Sequence, residues 1–557
     1  MSDIPDEDVP PAENFMVHSF GPDPDTWREA LDSKWANEWI IAREKEKNSF
    51  KEHGVLEMVP RETAKGKRVY KPKVVLKIKV NPPTPFEPHA TLDTHKYRMT
   101  IAALKHTMKP GIDYTEKYAS TVRWNSVKMI IAIAVKHDFD LVLFDISTFF
   151  LYGELDDEVY MEIPEGWEEE DKPRENFVFK LHRSMYGLPQ ASYCAQRKLK
   201  STLTGEGKIK ATTADDCIYV NTAETEYGAL GAHVDDLLAA GDTKGLDTIE
   251  KTLSKTFKIT KKVNPVIVTG VQIQRDRKHR WLKLHQGGNI EAMLAKYNMS
   301  ECRPVDTPMD PGTAKILMEL CTDDADPYWT KKYQILVGEL MYLHKTRPDL
   351  LFAINLLSRF LKNATARHYE LARDRVLRYL RGTTEDGIVF YAKSDKWELS
   401  GAADADLAGD LSTSRSTSGG CTVLGDFGAI MTSSKLEKKI STSTGQSETY
   451  AMTSLVKEVV WARHMLRELR HAQRGPTVLL TDNAGVFKQA TKAINHTIAK
   501  HYRIAQAYIR SMVSDGVVEV AEVDTKENTS DMLTKALHAP LFRYHKAALM
   551  GPQTAPQ

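Results

Sequence analysis

Two adjacent carboxylates, Asp235 and Asp236, sit between apolar runs: Ala229-Leu230 and Ala232 before them, Leu237-Leu238-Ala239-Ala240 after. Apolar residues on both sides predict two short buried strands joined by a tight turn. Two Asp side chains at such a turn are desolvated and repel each other unless a cation neutralises them. An all-oxygen ligand set of this kind suits a hard divalent ion, Mg²⁺ first of all. Taken alone, the stretch reads equally as a polar hairpin tip, because Asp is common in turns. Asp145 closes another apolar run, Leu141-Val142-Leu143-Phe144. That run predicts a buried central strand with Asp145 at its C-terminal edge, although a strand-end Asp needs no catalytic role.

The surrounding elements follow from periodicity. From Thr26 to about Phe50, Trp27, Leu31, Trp35, Trp39 and Ile40 recur at helical spacing, with Asp25 or Thr26 as the cap. Val74 to Val80 alternates like a half-exposed strand whose polar face carries Lys73, Lys77 and Lys79. Such a row is ordinarily solvated and can also hold phosphates. A helix is expected from Ser126 to about His137. Basic residues gather between Asp247 and Arg280, and again on a helix through Arg367, Arg373, Arg375, Arg378 and Arg381. Faces of this kind can track a phosphate backbone when they flank a polyanion site. After Gly382 come strand-like segments at 388–391, 397–400 and 421–424, then a long helix from about Glu448 to Leu469. A buried strand leads to Thr481-Asp482, and a helix, a strand and a short helix near Asp531 complete a compact α/β unit. The acidic, proline-rich start reads as a flexible tail and Met550 to Gln557 as a disordered end.

Composition bounds the reading. A chain of 557 residues is long enough for about three or four domains. With 41% hydrophobic and 27% charged residues it is an ordinary soluble globular protein. A net charge of +1 gives no global attraction to polyanions, so any such site must be built locally. The five cysteines are scattered without a Cys-x-x-Cys pair, which argues against zinc and for reduced thiols. No apolar run is long enough to span a membrane, and the first residues do not form a signal peptide. The protein is expected to act inside the cell.

In order, the motifs resemble the reverse transcriptase–ribonuclease H region of a copia-type (Pseudoviridae) retrotransposon Pol polyprotein, from about Trp27 to Leu537. The segments carrying the resemblance are Phe144-Asp145 through Leu155, Ser184-Met185-Tyr186-Gly187-Leu188-Pro189-Gln190-Ala191, Val234-Asp235-Asp236, Thr346-Arg347-Pro348-Asp349-Leu350, Leu377 to Thr383, Asp404-Ala405-Asp406, Ser441 to Ala451, Thr481-Asp482-Asn483 and Asp531-Met532-Leu533-Thr534-Lys535. No protease-like or integrase-like motif accompanies them, so a processed or separately encoded polymerase segment is expected.

The resemblance implies a multidomain α+β / α/β chain: a right-hand polymerase of fingers, palm and thumb, a connecting segment and a C-terminal ribonuclease H-like domain. The expected divisions are an acidic tail at 1–25, fingers and palm at 26–245, thumb and connection at 246–386, the ribonuclease H-like domain at 387–540 and a C-terminal tail at 541–557. It implies RNA- and DNA-directed DNA synthesis, plus cleavage of the RNA strand of RNA/DNA hybrids, each with two Mg²⁺ or Mn²⁺ ions about 4 Å apart. Asp145 and Asp235 would bind both palm ions, with Asp236 in support. Phe150 would be the steric gate against ribonucleotides, and Gln190 would touch the incoming nucleotide. Lys77, Lys79, Lys96 and Arg98 are candidates for the triphosphate, with plain surface charge as the alternative. The nuclease carboxylates would be Asp404, Glu448, Asp482 and Asp531. Asp406 is an alternative to Asp404, depending on how far the strand continues, and His501 is a candidate for product release. The implied partners are RNA template, DNA primer, RNA/DNA hybrid and deoxynucleoside triphosphates, with element-encoded integrase and capsid, in cytoplasmic virus-like particles and the nucleus. Two positions depart from the family pattern, His233 where tyrosine is common and Leu407 where tryptophan is usual. The competing reading is a degenerate or co-opted element product that binds nucleic acid without catalysis.

Overall fold

The computed structural model describes residues 22–81, 91–102, 108–109, 114, 117–320, 325–392, 395–491 and 500–553, with side chains for all of these except 80, 81, 91, 500 and 501. The proline-rich loop after Asn81 and the side chain of His501 therefore lie outside the described residues.

The N-terminal helix expected from Thr26 to Phe50 is two helices, Trp27–Asp32 and Ala36–Glu52. Ser33 breaks it: its hydroxyl donates to the Ala30 carbonyl and accepts from the Trp35 amide, which competes with helical bonding. Thr26 is the cap, accepting from the Glu29 amide. The longer helix packs Trp39 and Phe50 against an antiparallel hairpin, Pro72–Asn81 with Thr91–Ile101. The predicted tail does not extend to residue 25. Asp23 accepts from the Ile78 amide at 2.7 Å and pairs with Lys77 Nζ at 2.7 Å, which ties residues 22–25 to this hairpin.

Six antiparallel strands form the central sheet, in spatial order Ile259–Val263, Asp140–Ile146, Asp236–Gly241, Gly228–His233, Ile218–Asn221 and Ile209–Ala211. Strand alternation sends Leu238 and Ala240 toward the helix Trp124–His137. Leu237 and Ala239 face the helices Ala191–Thr204 and Thr243–Ser254 on the other side. Both faces are thus covered, and the open end of the sheet is left for chemistry.

Gly387–Tyr391, expected to begin the C-terminal unit, instead pairs with Trp281–His285 in a separate four-stranded sheet. A continuous apolar run has no alternation to show which sheet it joins. Beyond it, helices around Pro327–Tyr342 and Leu351–Ser358 enclose a second core. The basic helix is continuous from Ala366 to Gly382 but contains a π-turn at Arg373–Leu377. Here Arg347, fully buried, binds Asp349 through Nε and Nη2 and Thr383 through its carbonyl and hydroxyl. Tyr379 donates to Asp349 at 2.5 Å.

The C-terminal sheet has the order Ala429–Leu436, Thr417–Leu424, Leu399–Asp406, Thr477–Thr481, Val518–Glu522. The first three strands are antiparallel, and the last two run parallel to Leu399–Asp406. The helix Thr444–Glu468 lies against it, capped by Ser443. Lys128 of the central-sheet helix is buried at the junction with this unit, where its ammonium donates to the Ala429 carbonyl at 3.2 Å. The predicted tail at 541–557 is a correction: Ala539–Met550 is a helix with Phe542, His545, Leu549 and Met550 buried. Those positions follow helical spacing, and Lys546 is bound to Asp386 at 2.5 Å.

Candidate active sites

The hairpin predicted around Asp235 is present. Gly228–His233 and Asp236–Gly241 pair antiparallel, with His233 opposite Asp236 and a two-residue turn of Val234 and Asp235. Val234 has φ 59°, a left-handed conformation unusual for a β-branched residue. Strain of this kind costs about 1–3 kcal/mol and persists where surrounding structure imposes it. Asp236 pairs across the sheet with Asp145, so the three residues lie at one end of it, although among the described residues their carboxylates do not converge as closely as the acidic cluster of the C-terminal unit. Burial, and then the neighbouring Asp235, raise the Asp145 carboxyl above its ordinary range. Burial, followed by Asp235 and Asp145, does the same for Asp236. Oxygen donors crowded and partly desolvated in this way fit a divalent cation.

Asp145 and Asp235 border a cavity of about 1120 Å³, also walled by Glu46, Lys79, Lys96, Arg98, Phe150 and Tyr186. Thr148 turns the chain with φ 54° into the short helix Phe149–Tyr152, which presents Phe150 to the cavity. The Phe150 and Tyr186 rings meet edge-on at 5.4 Å. Arg98 lies over the Tyr186 ring at 4.9 Å. Burial, then repulsion from Arg98 and Lys79, lowers the Lys96 ammonium. Lys77 does not line this cavity, and Asp23 accepts from its ammonium at 2.7 Å. Gln190 is buried at the start of helix Ala191–Thr204, off the cavity wall, and both of its amide atoms lack a hydrogen-bond partner.

The sequence pattern missed Glu46 and Tyr186. Glu46 comes from the helix Ala36–Glu52, is buried, and accepts from the Met99 amide at 3.2 Å. Burial raises its pKa to about 7, opposed by that amide and by Arg98 and Lys96. A charged residue on an otherwise amphipathic helix gave no sign of this role. Tyr186 lay in a motif already singled out, but nothing in its spacing aimed it at the cavity.

In the C-terminal unit, ligand atoms of Asp404, Glu448 and Asp482 lie within 4.8 Å of one another. The strand Leu399–Asp406 does continue through Asp406, and residues two apart share a face. Asp404 is the one that joins the cluster, 3% exposed, while Asp406 does not. Glu448 is in the second turn of its helix, not at the start. Burial, then Asp404 and Asp482, raises its carboxyl, and its Oε2 is buried without a partner. An orphaned buried carboxylate oxygen facing two further carboxylates fits a cation ligand. Asn528 steadies Asp482, donating to its Oδ1 at 3.2 Å while also binding the Ala403 carbonyl. Asp531 lies in the 3₁₀ turn Thr529–Leu533 and is held by Lys535 at 3.0 Å, outside the cluster of three. That turn reaches the sheet only because Gly419 has no side chain, since a Cβ there would meet Thr534 at 2.6 Å.

Several known proteins are similar to this chain. The family model for reverse transcriptase (RNA-dependent DNA polymerase) matches residues 86–311. A retrovirus-related Pol polyprotein from transposon TNT 1-94 of Nicotiana tabacum is 34% identical over 96% of this chain and 39% of its own length. The corresponding polyprotein of transposon RE1 from Arabidopsis thaliana is 32% identical over 81% of this chain and 30% of its own length. The chain thus spans well under half of these curated relatives. A solved foamy viral protease–reverse transcriptase in complex with dsDNA aligns with a TM-score of 0.40 at 10% identity, over 87% of this chain and 83% of that one. The chain is thus similar over most of its length to retrovirus-related Pol polyproteins of transposons, and its residues 86–311 match the reverse transcriptase family.

Proposed function

We propose that the chain is an RNA- and DNA-directed DNA polymerase whose C-terminal unit cleaves the RNA strand of RNA/DNA hybrids. The placement of Asp145, Asp235 and Asp236 at the end of one sheet, with Asp145 and Asp235 bordering a cationic and aromatic cavity, carries this reading. Asp145 and Asp235 would hold two Mg²⁺ or Mn²⁺ ions, with Asp236 in support. Ions bound there would activate a primer 3′-hydroxyl and stabilise charge on the departing pyrophosphate. Lys96 and Arg98 counter the triphosphate charge, and Tyr186 fixes the plane of the Arg98 guanidinium. Phe150, which borders the cavity, would exclude a 2′-hydroxyl with its ring. Gln190, with an unsatisfied amide close behind Leu188 and Pro189, would reach the nucleotide only after a rotamer change. Lys77 is the weakest of the triphosphate candidates, because its ammonium is already paired.

In the C-terminal unit Asp404, Glu448 and Asp482 would hold a divalent ion, and Asp404 with Asp531 flank a second cationic place. The residues so arranged would orient water toward a phosphodiester. The supports for template, primer and hybrid as substrates are the family and the paired sites. The family alone supports integrase and capsid as partners, and a cytoplasmic particle or the nucleus as the place of action. Among the described residues, no helix is long and apolar enough to cross a membrane.

Extension of a DNA primer on an RNA template with Mg²⁺, run beside degradation of the RNA strand, tests the reading. Asp235→Asn should abolish extension and spare degradation, and Asp482→Asn should do the reverse. A wild-type chain that binds hybrid but does neither establishes the binding-only alternative.

A further inference from the structure

The C-terminal carboxylates divide into two groups. Asp404, Glu448 and Asp482 converge closely enough for one ion with oxygen ligands to join them. Asp531 instead has the ε-ammonium of Lys535, four residues on, 3.0 Å from its Oδ1. Asp404 and Asp406 also lie near enough to act on that ammonium through their charge, without forming an ion pair with it. Asp404 thus belongs to the cluster of three and also acts by its charge on Lys535, while the Thr534 hydroxyl donates to its Oδ2. Behind them the C-terminal helix closes the site with His545, fully buried.

We propose that Lys535 is a tethered cation of this site: its ammonium neutralises Asp531 and Asp404 and fills the second cationic place, so that the cage takes a single divalent ion at Asp404, Glu448 and Asp482. This deepens the hydrolytic reading of the C-terminal unit and rests on it. An ammonium on a flexible stem is a compact point charge with three donors. It balances the buried negative charge whether or not an ion is bound, and it can donate to a phosphate oxygen. Lys535 is accordingly a positioning residue for Asp531 and for the scissile phosphate.

Counting bound Mn²⁺ by electron paramagnetic resonance tests this in the full chain, with the palm ligands removed by Asp145→Asn, Asp235→Asn and Asp236→Asn. The expected result is one ion for the chain with Lys535, and one for Lys535→Arg, which keeps the charge. Lys535→Met should bind a second ion at least tenfold more tightly than its parent, and its melting temperature should rise more on adding Mn²⁺. Two ions in the parent, or the same count and affinity in all three proteins, would overturn the proposal. Should Lys535→Met fail to fold, Asp531→Asn decides: the single ion is kept if Asp531 is held by Lys535, and weakened at least tenfold if Asp531 is a ligand. Hybrid cleavage is measured separately on the chain with native Asp404, Glu448 and Asp482. Its absence would count against the nuclease reading and leave the ion count standing.

Discussion

The two carboxylate sites are built in opposite ways. The central-sheet site takes Asp145 and Asp236 from two paired strands and Asp235 from the turn that enters the second of them, and it opens onto a large cavity. The C-terminal site gathers Asp404, Glu448, Asp482 and Asp531 from a strand, a helix, a strand end and a turn, and three of the four are almost fully buried. A site on a hairpin can admit a long duplex and release it, at the expense of exposure to water. A site inside a core holds its charges close whether or not substrate is present. It therefore needs permanent counter-charge, such as Lys535, and fixed partners, such as Asn528 and Thr534.

This contrast leads to measurable differences. The largest is the separation of activities: Asp145→Asn should reduce primer extension by roughly 10²–10³-fold, the scale of losing a preorganised electrostatic group, and leave RNA-strand cleavage within about twofold. Equal loss of both activities would show that the sites do not act independently. Next is Glu46, whose pKa is raised to about 7 mainly by burial. Because the folded value lies above the unfolded one, ionisation costs stability that is fully retained below about pH 4.5 and lost as pH rises through 7. Glu46→Gln keeps the acceptor for Met99 and should remove this slope, gaining about 2 kcal/mol at pH 8 in urea unfolding. An unchanged pH profile would place the cost elsewhere. Phe150→Val should lower discrimination against ribonucleotides by about 10–100-fold in single-nucleotide incorporation, with little effect on deoxynucleotide use. Uniform loss for both would assign Phe150 to packing. The smallest effect is expected at the turn. Val234→Gly relieves the left-handed strain and should change stability by no more than about 1 kcal/mol. Its primer extension should nonetheless fall several-fold, because Asp235 is held less firmly.

The same contrast explains how much could be read from residues alone. Asp235 and Asp236 are neighbours flanked by apolar strands, so local pattern sufficed to predict their hairpin, and Asp145 stood at the end of an unbroken apolar run. The C-terminal carboxylates are spread over more than a hundred positions, from Asp404 to Asp531, and only family order brought them together. Where patterning was silent, errors followed. Gly387–Tyr391 was assigned to the wrong sheet because an all-apolar strand fits either. Ala429–Leu436 was overlooked because Thr432, Ser433 and Ser434 interrupt its apolar face. The pairing of Lys77 with Asp23 could not be seen at all, since it depends on a chain segment folding back across 54 positions.

The helix Ala539–Met550 bears no catalytic residue, yet it covers the second core with Phe542 and Leu549 and sets Lys546 beside Asp386 and Asp349. A premature stop codon just before it would leave all seven carboxylates encoded and still strip the C-terminal unit of its rear wall. Judging whether a copy is alive by its acidic residues would therefore overcount the living, and the state of these last few turns is the better criterion.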